Sequence, residues 1–125
     1  ARGEAVVLPE GRRVEPGQVT GPERRGRRVA VVGDAGSTAG LLEHVRGVDL
    51  LVIEATFLDA DRDKAEARSH LTVGQATRLA REAGVGELWL NHQSARYPAG
   101  AVEAEARAGF GRVRVAADFD RVSVG

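Results

Sequence analysis

A chain of 125 residues with 42% apolar side chains has the size and composition of one globular domain, or part of one, with enough surface to bury a core. Basic and acidic residues balance at 18 each, so the chain as a whole carries no electrostatic signal for nucleic acid, and any RNA contact is local or supplied by other segments. Cysteine is absent, which excludes disulfides and thiolate metal sites and leaves His, Asp and Glu as ligands for any cation.

No run approaches the roughly 20 apolar residues of a membrane span, and no signal peptide is visible; a cytoplasmic location fits. Methionine is missing even at position 1, so either the initiator was removed or the chain is a piece of something longer. Lys64 stands alone among many arginines, a bias that suits phosphate contacts and also a GC-rich genome.

In chain order, "EAVVLPEGRRV" (4–14) predicts strand, tight turn, strand, with Pro9 and Gly11 at the turn. "EPGQVTGPERRGRR" (15–28) reads as a polar Pro/Gly-rich connection. "RVAVVGD" (28–34) is a buried strand, and a helix follows over "STAGLLEHV" (37–45), capped by Ser37 or Thr38, with Leu41, Leu42 and Val45 on one face. "DLLVIEA" (49–55) is a second buried strand, and "TFLDADRDKAEARS" (56–69) is charged and loop-like, with some helix. "TVGQATRLAREAG" (72–84) opens with a capping box, Thr72 and Gln75, carries an inner stripe of Ala76, Leu79, Ala80 and Ala83, and stops at Gly84. "ELWLNH" (87–92) is a third buried strand, "GAVEAEARAGF" (100–110) a helix, and "RVRVAADFDRVSV" (112–124) two short strands. This alternation predicts an α/β fold with a sheet covered by helices, its strands buried on both faces.

Each buried strand ends in a polar residue: Asp34, Glu54 and His92. Ligands of open α/β sheets gather outside the carboxyl ends of the strands, so the three share one rim, and His70, just before the capped helix, can enter it from a loop. Two carboxylates and two imidazoles without thiols suit a hard or borderline cation such as zinc. Other readings stay open. Asp34 can be a turn former or cap, Glu54 a buried structural hydrogen-bonder, and His70 a solvated or capping residue. His44, in "LLEHV", is taken as surface. The glycines at 33, 36 and 40 make neither a dinucleotide fingerprint nor a Walker loop.

"GD" (33–34), "EATF" (54–57), "AEARSHLT" (65–72) with "QA" (75–76), and "NHQSARY" (91–97) occur in the order and approximate spacing of one family. The chain resembles ribonuclease Z, the tRNA 3′-processing endoribonuclease of the metallo-β-lactamase fold. The likeness runs over nearly all of residues 1–125 but covers only the C-terminal half of that family's protein, half of an αβ/βα sandwich. It implies a two-zinc centre with Asp34 as bridging carboxylate and His92 as a terminal ligand. It implies that His70, oriented by Glu54, protonates the departing ribose 3′ oxygen. Ser94, Arg96 and Tyr97 are implied to meet the RNA backbone or terminal nucleotides, Arg by its planar fork and Tyr by stacking; Arg96 and Tyr97 can equally hold the loop after the strand.

Three positions depart from the family pattern: Ala35 replaces Thr, Ile53 replaces His, and Leu71 replaces Ser, each removing a possible hydrogen bond near the ligands. The family's H-x-H-x-D-H cluster and its tRNA-gripping arm have no counterpart among these 125 residues. The resemblance thus implies a precursor-tRNA nuclease, homodimeric when whole, with this chain supplying half of the site. Another phosphodiesterase of the same fold, or a non-enzymatic α/β module from a decayed homologue, are the competing expectations.

Overall fold

The computed structural model describes residues 3–125. Its centre is a four-stranded parallel sheet in the order β3-β4-β5-β6, formed by Val29–Val32, Leu50–Glu54, Glu87–Asn91 and Val113–Val115. Parallel neighbours need crossovers. These contain α2 (Leu41–Val45), then α3 (Arg62–Ala67) and α4 (Val73–Ala83), then α5 (Ala101–Gly109). Before them, β1 (Val6–Val7) and β2 (Arg13–Val14) form a separate antiparallel hairpin, turned at Gly11, whose φ of +81° favours glycine.

Strand periodicity places the core. Leu51, Ile53, Leu88, Leu90 and Val113 point to the helical side, where they meet Val73, Ala76, Leu79, Ala80 and Ala83 of α4. Each fully buried Leu or Ile there contributes about 1.5–3 kcal/mol. The α4 stripe is as the sequence predicts, and so are its ends. The Thr72 hydroxyl accepts the Gln75 N–H, the Gln75 side chain accepts the Thr72 N–H, and Gly84 closes the helix at φ +62°.

Four expectations are corrected. β3 is not buried on both faces. It is an edge strand in which Val29 and Val31 are 51% and 72% exposed, because the helices cover only the alternate residues Ala30 and Val32. The helix before β4 is capped by neither Ser37 nor Thr38. It begins at Leu41 after a left-handed Gly40, the Ser37 hydroxyl accepts the Ala39 N–H, and the Thr38 carbonyl accepts the Leu41 N–H. The 15–28 connection contains one helical turn, α1 (Pro16–Val19), at whose start the Gln18 side chain accepts the Glu15 N–H. Beyond β6 there is no second strand: the chain turns at Ala117–Asp120 through mutual hydrogen bonds of those two residues.

The β4–β5 crossover returns tightly at Gly86. A Cβ there would stand 2.4 Å from the Asp49 carbonyl oxygen, while the Gly86 N–H donates to Val48. Backbone cannot yield as a side chain does. Gly86→Ala is therefore expected to cost about 1–3 kcal/mol in urea unfolding, with the midpoint lowered and the slope unchanged.

Candidate metal and catalytic site

The three strand ends and one loop converge as the sequence implies. β3 delivers Asp34, β4 delivers Glu54, and β5 delivers His92. His70 arrives because residues 71–73 run beside Phe57. The Phe57 N–H donates to the Leu71 carbonyl and the Val73 N–H to the Phe57 carbonyl, and the His70 N–H is held by the Ala65 carbonyl. Ser69 and His92 both sit at φ +56°, a left-handed conformation that non-glycine residues rarely hold and that clusters at functional sites. At Gly36 the Asp34 loop passes so close to the His70 loop that an added Cβ would lie 3.1 Å from the Ser69 Cβ.

Glu54 is the hub. It is fully buried, and both of its oxygens are used. Oε1 accepts from the Ala35 N–H (3.1 Å), the Leu71 N–H (2.9 Å) and His70 Nδ1 (3.1 Å). Oε2 accepts from the Thr56 N–H (3.1 Å) and the Thr56 hydroxyl (2.7 Å). Burial pushes this carboxyl's pKa up, but the hydrogen bonds from Thr56, Ala35 and Leu71 outweigh it and hold the group below the ordinary glutamate range. Glu54 is therefore an acceptor-only anion, and His70 must place its proton on Nδ1 and leave Nε2 facing outward.

Asp34, His70 and His92 each offer a ligand atom within 4.8 Å of the others. Asp34 Oδ1 lies 3.4 Å from His92 Nδ1, and the two imidazole rings are 5.1 Å apart. Asp34 and His92 are exposed and His70 is half-buried, so the cluster opens outward. One carboxylate and two imidazoles fit a borderline divalent cation, with fewer than the four donors of a closed zinc site. The rim thus holds a candidate cation site beside a carboxylate-oriented imidazole.

The loop after β5 is tied to the same centre, since the Ser94 N–H donates to the Thr56 carbonyl (3.1 Å). The Arg96 guanidinium lies over the Phe57 ring at 5.1 Å, with its Nε 3.2 Å from the Ser94 hydroxyl. Phe57 in turn lies beside the His70 ring. Tyr97 is turned inward and donates its hydroxyl to Asp61 at 2.7 Å. Burial and that carboxylate raise the phenol's pKa; the Lys64 ammonium, then the Tyr97 hydroxyl, lower that of Asp61. Thr56, Phe57 and Asp61 are the participants the sequence reading assigned no role. Thr56 and Phe57 stand within the quoted "EATF", two and three positions beyond Glu54, which is the one local signal for them. Of the departures, Ile53 and Leu71 are fully buried in the core, and Ala35 packs against it while its N–H binds Glu54.

Residues 8–93, more than half of the chain, match the model of the β-lactamase superfamily domain, and the chain belongs to that family. Within it, the chain is similar to ribonuclease Z. It is 49% identical over 124 residues to the ribonuclease Z of Bradyrhizobium sp. (strain ORS 278), covering 99% of this chain and 41% of that protein. To that of Gemmatimonas aurantiaca it is 39% identical over 125 residues, covering 98% and 40%. Among solved structures, human tRNase Z, short form, superposes with a TM-score of 0.65 at 29% identity, over 90% of this chain and 37% of that one. The metallo-β-lactamase fold protein YhfI of Bacillus subtilis also gives 0.65, at 27% identity, over 70% and 36%. The chain spans about two fifths of the length of the curated relatives it matches. The expected fold, an α/β half of the metallo-β-lactamase sandwich, is thereby established.

Proposed function

We propose that this chain is the C-terminal half of a zinc-dependent endoribonuclease that removes the 3′ trailer of precursor tRNA. The observation that carries the reading is the meeting of Asp34, His70 and His92 around a buried Glu54, in a chain similar along its length to ribonuclease Z. Asp34 and His92 would hold metal in a two-zinc centre, with further ligands from the N-terminal half. When bound, the metal supplies Lewis-acid activation at the scissile phosphate. His70, its Nδ1–H held by Glu54, would carry a second proton at Nε2 and, as an imidazolium, give that proton to the leaving ribose 3′ oxygen, returning to the neutral Nδ1–H form. Arg96, stacked on Phe57 beside His70, is placed for a backbone phosphate, and Ser94 lies within its reach. Tyr97 offers only its ring to RNA, since its hydroxyl serves Asp61. No helix among the described residues is long and apolar enough to cross a membrane. Cytoplasmic location and homodimerisation of the full-length protein complete the proposal.

A second reading has its own observation: His70 belongs to the same 4.8 Å cluster as Asp34 and His92, which suits a third metal donor. Another phosphodiester substrate is also compatible with the fold. The test is trailer removal from precursor tRNA beside hydrolysis of a cyclic nucleotide and of bis-p-nitrophenyl phosphate, with zinc content measured in parallel. The full-length polypeptide is expected to cleave the tRNA, while residues 1–125 alone bind zinc weakly and leave it intact. Rapid turnover by the 125 residues alone would overturn the half-site reading; preference for the small phosphodiesters would overturn the tRNA assignment.

A further inference from the structure

Glu54 governs His70 by direct contact, and one hydroxyl extends the same control to the second imidazole. Thr56 Oγ1 lies 2.7 Å from Glu54 Oε2 and 2.9 Å from His92 Nδ1. A hydroxyl has a single hydrogen. Glu54 can only accept, so the hydrogen goes to the carboxylate, and toward His92 the same oxygen is left as an acceptor. The other neighbour of that ring nitrogen is Asp34 Oδ1 at 3.4 Å, again an acceptor. Both neighbours call for a proton on Nδ1. Thr56 is buried (7% exposed) and anchored at three points: its hydroxyl and N–H on Glu54, and its carbonyl on the Ser94 N–H. Its position is therefore set by the fold, whereas Asp34 stands on an exposed loop.

We propose that Thr56 is a positioning residue for His92: its hydroxyl relays the Glu54 carboxylate to Nδ1, locking the Nδ1–H tautomer and leaving the Nε2 lone pair free for a cation. The inference deepens the metal-site reading and rests on it for its purpose, but its geometry is independent of which phosphodiester is cleaved. One buried carboxylate then orders two imidazoles, His70 directly and His92 through a hydroxyl, so that both turn Nε2 away from the interior. Partners of this kind typically change metal affinity 10- to 100-fold.

The test is a nitrogen-15 NMR spectrum of the imidazole rings in the full-length chain with metal removed, recorded in alkaline buffer. The His92 signals are assigned by their loss in His92→Gln. The wild-type chain is expected to show the Nδ1–H form at both His70 and His92. In Thr56→Val, His92 alone is expected to shift toward the Nε2–H form and cobalt(II) affinity to fall about 10- to 100-fold; Thr56→Ser restores both. A wild-type His92 protonated on Nε2 overturns the proposal before any variant is made. So does an unchanged His92 tautomer in Thr56→Val, which would give the role to Asp34. So does a joint shift of His70 and His92, which would mean that Thr56 acts by propping Glu54. The tautomer readout needs no nuclease activity, so failure of the tRNA assignment and failure of this relay are separate results.

Discussion

Glu54→Gln is expected to cost the fold about 2–4 kcal/mol, an unusually large effect for exchanging one oxygen for one nitrogen. The reason is that every partner of Glu54 is a donor. Oε1 faces the N–H groups of Ala35, Leu71 and His70, and Oε2 faces the N–H and hydroxyl of Thr56. However the amide is turned, its NH₂ meets donors in a site closed to water. The damage falls on three segments at once, because those donors come from the Asp34 loop, the residues after β4 and the His70 loop. Urea unfolding measures the loss; a variant within about 0.5 kcal/mol of the wild type would show that Glu54 is not the clasp described. Acidity offers a second measure. The folded Glu54 carboxyl titrates below its ordinary range, so its ionised form stabilises the fold above the unfolded-state value of about 4.3, and that contribution is lost as pH falls through the folded value. The wild-type chain should therefore lose stability more steeply below about pH 4 than Glu54→Gln does.

Asp34→Ala and His70→Ala in the full-length protein are expected to separate metal holding from proton transfer. Asp34 joins the cation cluster through a carboxylate and makes no hydrogen bond to Glu54, so on the proposed function its loss should empty the metal site and abolish cleavage while leaving the fold intact. His70 is bound to Glu54, and if it acts as the acid its removal should lower cleavage about 10²- to 10⁴-fold with zinc content unchanged. A substrate whose leaving group needs no proton should recover most of that loss. If zinc is lost with His70 instead, the residue is the third donor that its distance to Asp34 and His92 permits, and the acid lies elsewhere.

Much of this was legible because periodicity and punctuation reported the same elements. The runs ending in Asp34, Glu54 and His92 read as strands, and parallel order alone brings their ends to one rim. The α4 capping box was readable because Thr72 and Gln75 bind within a single turn. What stayed hidden depends on through-space partners. An apolar run marks β3 as a strand but does not say which face the helices reach, so Val29 and Val31 were misjudged. Ser37 has the chemistry of a helix cap, yet its oxygen is spent on the Ala39 N–H and the helix waits for Gly40. The Gln18 side chain returns to the Glu15 N–H across α1, a contact masked by the Pro and Gly between them. Thr56 shows its importance only when residues 36 positions apart meet across the rim.

The tight passage at Gly36 has a practical meaning. The gap it leaves to Ser69 admits a methyl group only if the neighbour gives way by a few tenths of an ångström. Position 36 therefore works as a spacer between the loop bearing Asp34 and the loop bearing His70. On the proposed metal reading, enlarging the side chain there would spread the two loops while every donor atom is retained, a mechanical dial on the cation radius preferred.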